Sequence, residues 1–387
     1  MIMTDSRLYD DIAPLRDDEV NQTIMELLED EGFKVAVMYM MPGIDWDMFC
    51  AQMSQFTTKY EFQKNLIYRV VWGVARKTSS SIEATNWGNI DRSKQHLFLS
   101  NHRDIVLDAG LLNILRFEEG FDTTEIGIGD NLFVFPWIKK LVRLNKSFIV
   151  QRGVSVRQML QVSRHMSEYI HYVINEKNES VWLAHREGRA KDSDDKTQGS
   201  LLKMLALAPE GASFIDSLKD LNIIPLSLSY EYDPCDYLKA QEFQLKRDNP
   251  EYKKTQKDDL INMEKGILGF KGHIHFQFGK AINDELDKIA AEPDRKHQVE
   301  LATRCIDSEI HRNYRIYPIN YIAYDLLYRN NEFTEQYTPQ QVDDFKEYVN
   351  NQIAKIHLEN KDHDFLWQKF LEMYSNTLKN YLIATGT

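Results

Sequence analysis

The chain is poor in cysteine and short of basic charge, and it has no long apolar run. Cys50, Cys235 and Cys305 are scattered over 387 residues with no CxxC pair. That argues against a disulfide framework or a structural zinc site and fits a reducing compartment. No stretch approaches the roughly 18 uncharged apolar residues of a membrane-spanning helix. The start, Met1 to Arg7, lacks the basic and apolar regions of a secretory signal. The expected location is the cytoplasm, at most peripheral on the inner face of the cell membrane. Lys and Arg number 47 against 59 acids, a formal net charge of -12. Such a balance disfavours a nucleic-acid binder, and any attraction to an anionic membrane must come from a local patch. No GxSxG elbow and no HExxH are present, and Gly127-Ile128-Gly129 lacks the third glycine of a dinucleotide loop. No metal and no bound cofactor are expected.

What is present is globular: 43% hydrophobic and 11% aromatic residues argue against disorder. Residues 1–90 read as an amphipathic helical region, with Ile24, Leu27 and Leu28 at helical spacing and Gly32 as a stop. From 91 to 285 apolar strands alternate with helices. Leu97–Ser100, Phe148–Gln151, Val181–Ala184, Ile223–Ser229 and His273–Phe278 are the candidate strands. That alternation predicts an α/β module with a mixed sheet flanked by helices. Residues 237–266 are charged and predict a helical, solvent-exposed insertion. Residues 286–387 predict a C-terminal helical region broken at Tyr317-Pro318.

The chain is organised around the segment from His96 to Asp108, where the run Leu97-Phe98-Leu99-Ser100 gives way to Asn101-His102-Arg103-Asp104. An imidazole and a carboxylate on a strand-to-helix turn can form a base and its orienting partner. His102 is the candidate base and Asp108 its partner, with Asp104 the less favoured substitute. Two further apolar strands end in polar residues: Phe148-Ile149-Val150-Gln151-Arg152, and Val181-Trp182-Leu183-Ala184 followed by His185-Arg186-Glu187-Gly188-Arg189. A fourth segment, Ile223 to Tyr230, carries Pro225 and Ser227. Successive strands ending this way assemble one site at one edge of a sheet. Guanidinium groups suit a phosphate, which makes Arg152 and Arg189 candidates, and Gly188 lets the backbone turn beside Glu187.

These four blocks, in this order, resemble the glycerolipid acyltransferases: glycerol-3-phosphate acyltransferases, lysophosphatidic acid acyltransferases and their relatives. The later Phe278-Gly279-Lys280-Ala281-Ile282 is similar to a fifth block of that family. The resemblance implies O-acylation of glycerol-3-phosphate or 1-acylglycerol-3-phosphate in phospholipid biosynthesis. Acyl-CoA or acyl-carrier protein would be the donor, with His102 and Asp108 catalytic. It implies substrate contacts at Asn101, Arg103, Arg152, Glu187, Gly188 and Arg189. The chain departs from the family pattern twice. Five residues separate His102 from Asp108 where four are usual, a spacing some hemolysin-like relatives share. One residue is missing between Gly188 and Arg189, which brings in Lys191 as a substitute phosphate ligand. The alternatives are an acyltransferase for a lyso-amino-acid lipid and an inactive relative that binds lipid or acyl carrier. Residues 133–146 mix Phe133, Phe135 and Trp137 with Lys139, Lys140, Arg143 and Lys146. That mixture reads either as a surface for a membrane or an acidic acyl-carrier protein, or as a helix with a solvated basic face.

Overall fold

A computed structural model describes residues 6–387, with the side chains of Ser6, Val156 and Gln256 outside the description. The expectation about a secretory signal falls largely on residues 1–5, which lie outside the described residues.

Side chains alternating across a strand explain why the central segments need cover on both sides. Leu97 and Leu99 enter one core with Val181 and Leu183, while Phe98 enters the opposite core with Trp182 and Ala184. The strands are β1 Ser81–Thr85, β2 Leu97–Ser100, β3 Glu125–Gly129, β4 Ser147–Val150, β5 Val181–Ala184, β6 Ile224–Tyr230 and β7 His273–Phe278. They form one sheet in the order β1-β7-β6-β2-β5-β3-β4. All neighbouring pairs are parallel except β6 with β7. The chain is therefore an α/β protein with a mixed seven-stranded sheet flanked by helices.

Helices α1 Asp17–Leu28, α2 Glu31–Met40, α3 Trp46–Met53, α4 Lys59–Phe62 and α5 Tyr68–Thr78 precede the sheet. Within it, α6 Leu107–Glu118 follows β2, α7 Pro136–Leu144 follows β3, and α8 Val156–Asn175 follows β4. Helices α9 Gly199–Leu205 and α10 Phe214–Asp220 follow β5, and α11 Asp236–Asp248 and α12 Gln256–Leu268 separate β6 from β7. Helices α13 Asn283–Ile289, α14 Arg295–Arg312, α15 Pro318–Tyr328, α16 Pro339–Ala354 and α17 His363–Thr385 complete the chain. The last three share a separate core with Ala240 of α11, around Ile322, Phe345, Val349 and Phe370. Among the described residues no helix is long and apolar enough to cross a membrane.

Four features differ from the sequence reading. Gly32 is no helix stop: Asp30 accepts from the Phe33 amide at 3.0 Å and starts α2, with Gly32 in its first turn. An N-cap carboxylate here overrides the breaking tendency of glycine. The helical stretch expected up to residue 90 ends at Thr78, because Ser81–Thr85 pairs with β7 at the sheet edge. Its polar, half-buried sequence, Ser-Ile-Glu-Ala-Thr, carries little strand signal. Strand β3, Glu-Ile-Gly-Ile-Gly, was hidden by its glycines. At Gly127 a Cβ would lie 2.2 Å from Leu183 Cδ2, so the close approach to β5 requires glycine. The charged insertion is not simply solvent-exposed: Lys239, Ala240, Glu242 and Gln244 of α11 are buried.

Candidate active site

Strand β2 ends at Ser100 and the chain turns sharply before α6 begins at Leu107. Asn101, wholly buried, bolts this turn to β6: its Nδ2 donates to Leu228 O at 2.9 Å, and Leu228 N donates to its Oδ1 at 2.8 Å. Asp104 caps α6, its Oδ1 accepting from Val106 N at 2.8 Å and Leu107 N at 2.7 Å. Burial, then the neighbouring Asp108 carboxylate, raises the Asp104 carboxyl above its ordinary value. Asp104 is thus occupied with the helix start, and His102 pairs with Asp108.

His102 Nδ1 lies 2.8 Å from Asp108 Oδ2. The same oxygen accepts from Arg103 N at 2.7 Å and Asp104 N at 3.0 Å, and Asp108 Oδ1 accepts from Tyr230 Oη at 2.9 Å. A carboxylate only accepts, so Nδ1 carries the proton and Nε2 keeps its lone pair. Trp182 meets the imidazole edge-on, ring centroids 5.9 Å apart, and its Nε1 donates to Ser100 Oγ at 3.0 Å. Burial, then the Asp108 carboxylate, pushes the Tyr230 phenol well above its ordinary value, so it remains a donor. The ring is fixed from two sides, by a hydrogen bond and by an aromatic contact.

His102 lines a cleft of about 530 Å³ at the carboxyl ends of β3 and β5, the end where open α/β sheets hold ligands. Phe243, Lys254, Asp259 and Asn262 from the insertion form another part of its lining. A second cleft of about 430 Å³ adjoins the first and shares Gly127, Arg152, Ala184, Arg186 and Glu187 with it. Much of its lining is apolar, including Val150, Val162, Met166, Leu183, Leu201 and Met204.

The residues singled out from sequence divide into two groups. His102, Arg152, Glu187, Gly188, Arg189 and Lys191 all line the first cleft. Asn101 and Arg103 do not. Arg103 turns away, its Nη2 2.9 Å from Asp195 Oδ2, and is 7% exposed. Direct substrate contact is therefore not what Asn101 and Arg103 offer; they hold the turn on which His102 sits.

Several of the lining cations are already engaged. Arg152 Nη1 lies 3.2 Å from Glu187 Oε1. Its guanidinium lies close against the end of β3, where a Cβ on Gly129 would stand 2.7 Å from Nε. Arg189 donates to Asn262 Oδ1 at 3.3 Å and to Cys235 Sγ at 3.6 Å. Lys191 is paired with Glu242, and burial brings its ammonium down to about 8. Gly188 has φ +67°, a left-handed conformation that glycine adopts at no steric cost.

Sequence reasoning missed Trp182, Tyr230 and Arg186 as members of the site. For Arg186 the signal was present: it stands two and four residues beyond Ala184 and Trp182, so period-two alternation aims it at the same face. Among the described residues no group of three or more His, Cys, Asp or Glu is arranged to hold a metal ion.

Fold and site together define an α/β protein with a His–Asp pair at the carboxyl ends of its central strands. No protein-family model matches the chain, and no curated protein matches it. Among solved structures it is similar to the 1-acyl-sn-glycerophosphate acyltransferase of Thermotoga maritima, at 12% identity and a TM-score of 0.32. The match covers 75% of this chain and 99% of that one. A likeness this slight carries no argument about function, which rests on the residues themselves.

Proposed function

We propose that the protein is an O-acyltransferase that moves a fatty acyl group from a thioester to a hydroxyl of a glycerolipid precursor. The observation that carries this is the His102–Asp108 pair, its Nε2 without a hydrogen-bond partner among the described residues, on a side chain lining a cleft that adjoins a largely apolar one. His102 takes the proton of the acceptor hydroxyl as its oxygen attacks the thioester carbonyl, and Asp108 stabilises the imidazolium that forms. The apolar cleft suits the acyl chain and the cationic lining of the first suits an anionic headgroup. Acyl-CoA or acyl-carrier protein is the donor in this reading, with glycerol-3-phosphate or 1-acylglycerol-3-phosphate as acceptor. Purified protein offered each donor with each acceptor should form ester, and His102→Ala should not.

A second acceptor class, a lyso-amino-acid lipid, is favoured by one feature of the lining. Asp192 and Asp259 stand in the same cleft as Arg186 and Arg189, which suits an acceptor carrying both an amine and an acid. Offering such a lipid in the same assay distinguishes the two.

A further inference from the structure

Transfer from a thioester builds negative charge on the carbonyl oxygen, and a group must meet that charge where the acyl chain and the base converge. The residues common to both clefts mark that place: Gly127, Arg152, Ala184, Arg186 and Glu187. Only two of them, Arg152 and Arg186, carry side-chain N–H donors. Arg152 is held by Glu187. Arg186 is held by nothing: among the described residues its guanidinium has no hydrogen bond and no ion pair, and its enclosed Nε lacks a partner.

An enclosed guanidinium nitrogen without an acceptor is costly, and native structures rarely keep one without a reason. The sheet also brings Arg186 to the base. Ser100 and Ala184 are register partners on the parallel strands β2 and β5, and His185 N continues the ladder by donating to Ser100 O at 2.8 Å. His102 and Arg186 each stand two residues beyond that pair, so alternation brings both to the Trp182 face, and both line the first cleft. The other lining cations point to different duties. Arg189 is tied to Asn262 and Cys235, Lys191 and Lys254 to Glu242, and Lys239 to Asp233 and Ala190 O.

We infer that Arg186 is the oxyanion-stabilising residue of the transfer, an inference that rests on the acyltransferase reading above. In the step it serves, the acceptor oxygen bonds to the acyl carbon and its proton passes to His102 Nε2. The carbonyl electron pair moves onto oxygen, where the Arg186 guanidinium meets it. Collapse of that intermediate breaks the carbon–sulfur bond, and the departing thiolate takes the proton back from His102. Ester and thiol leave, and base and guanidinium return to their starting states.

The test compares Arg186→Gln and Arg186→Lys with the parent protein, using acyl-CoA and whichever acceptor the parent esterifies. Arg186→Gln should lower kcat on the order of 10²–10³-fold, with KM for donor and acceptor nearly unchanged. Arg186→Lys, which restores a charge without the planar fork, should recover part of the loss. A binding measurement runs beside it with two long-chain ketones. An alkyl trifluoromethyl ketone adds water to form a tetrahedral hydrate, whose hydroxyl proton passes to His102 Nε2 and leaves an oxyanion; its methyl counterpart stays trigonal. Arg186→Lys and Arg186→Gln should weaken the first selectively. A raised acceptor KM with unchanged kcat would overturn the inference in favour of headgroup binding. Equal weakening of both ketones would overturn it in favour of packing. If the parent protein forms no ester, or His102→Ala forms as much, the acyltransferase reading itself falls and takes this one with it. Turnover that needs His102 but not Arg186 overturns this inference alone.

Discussion

Asn101 and Leu228 hold each other at both ends, side-chain amide to backbone carbonyl at 2.9 Å and backbone amide to side-chain oxygen at 2.8 Å. This reciprocal pair, wholly buried, joins the end of β2 to β6 directly before His102. Replacing Asn101 by Leu removes both bonds and leaves the Leu228 N–H unsatisfied in the interior. Asn101→Leu should cost about 2–4 kcal/mol of unfolding free energy, read from the urea midpoint at constant slope. Loss of activity should accompany it, because the turn carrying His102 is released.

Asp108 receives donors on both oxygens, from His102, Arg103 N, Asp104 N and Tyr230. Asp108→Asn preserves shape, and its amide oxygen can still accept from His102, Arg103 N and Asp104 N while its NH2 donates to Tyr230 Oη. What it removes is the negative charge that stabilises the imidazolium formed during transfer. Turnover should fall on the order of 10³–10⁴-fold with KM values little changed. Tyr230→Phe removes one of the four donors and should cost far less, about tenfold or under. A comparable loss in both variants would mean that the carboxylate acts through packing alone.

The first residue of α11 is a buried carboxyl with a predictable pH signature. Asp236 accepts from Tyr348 Oη at 2.6 Å, Tyr374 Oη at 2.7 Å and Gln352 Nε2 at 2.9 Å. Burial raises it to about 7, above the roughly 3.9 of an unfolded aspartate. A group raised on folding contributes its stability fully below pH 4 and loses it progressively as pH climbs to about 7. The swing is about 4 kcal/mol. The stability difference between the protein and Asp236→Asn should therefore shrink from pH 4 to pH 7 and stay level above it. A difference that does not change across that window would contradict the assignment.

The basic helix α7 is less free than its sequence suggests. Arg143 donates to Ala13 O at 2.8 Å and Asp10 O at 2.9 Å, and Lys140 pairs with Glu26 at 2.9 Å. Lys139 and Phe135 remain exposed. If this face docks an acidic acyl-carrier protein or anionic vesicles, Lys139→Glu with Phe135→Ser should weaken that binding several-fold without lowering Tm. Arg143→Glu should instead lower Tm, because it detaches the N-terminal segment. Binding unchanged in the double variant assigns the face to solvent.

The central strands and the His–Asp pair were legible because each rests on local rules: apolar runs, a sharp polar break, and a base next to a carboxylate. Asp104 could not be set aside from sequence, since both acids lie within reach of His102. Only the amides of Val106 and Leu107, brought to it by the start of α6, fix its role. The duties of the cations were equally hidden. Arg103 and Arg152 look alike in a motif, but Asp195 and Glu187, the partners that separate them, are distant in sequence. Strands β1 and β3 escaped because one is a polar edge and the other carries two glycines, Gly127 packed against Leu183 of β5 and Gly129 against the Arg152 guanidinium.

The central claim is that His102 is the base of an acyl transfer. The most direct measurement is ester formation by purified protein and by His102→Ala, with acyl-CoA and acyl-carrier protein offered separately against glycerol-3-phosphate, its 1-acyl derivative and a lyso-amino-acid lipid. The account predicts ester with at least one pairing and its loss in a folded His102→Ala protein. Equal turnover by the two proteins, or none by the parent with any pairing, would contradict it.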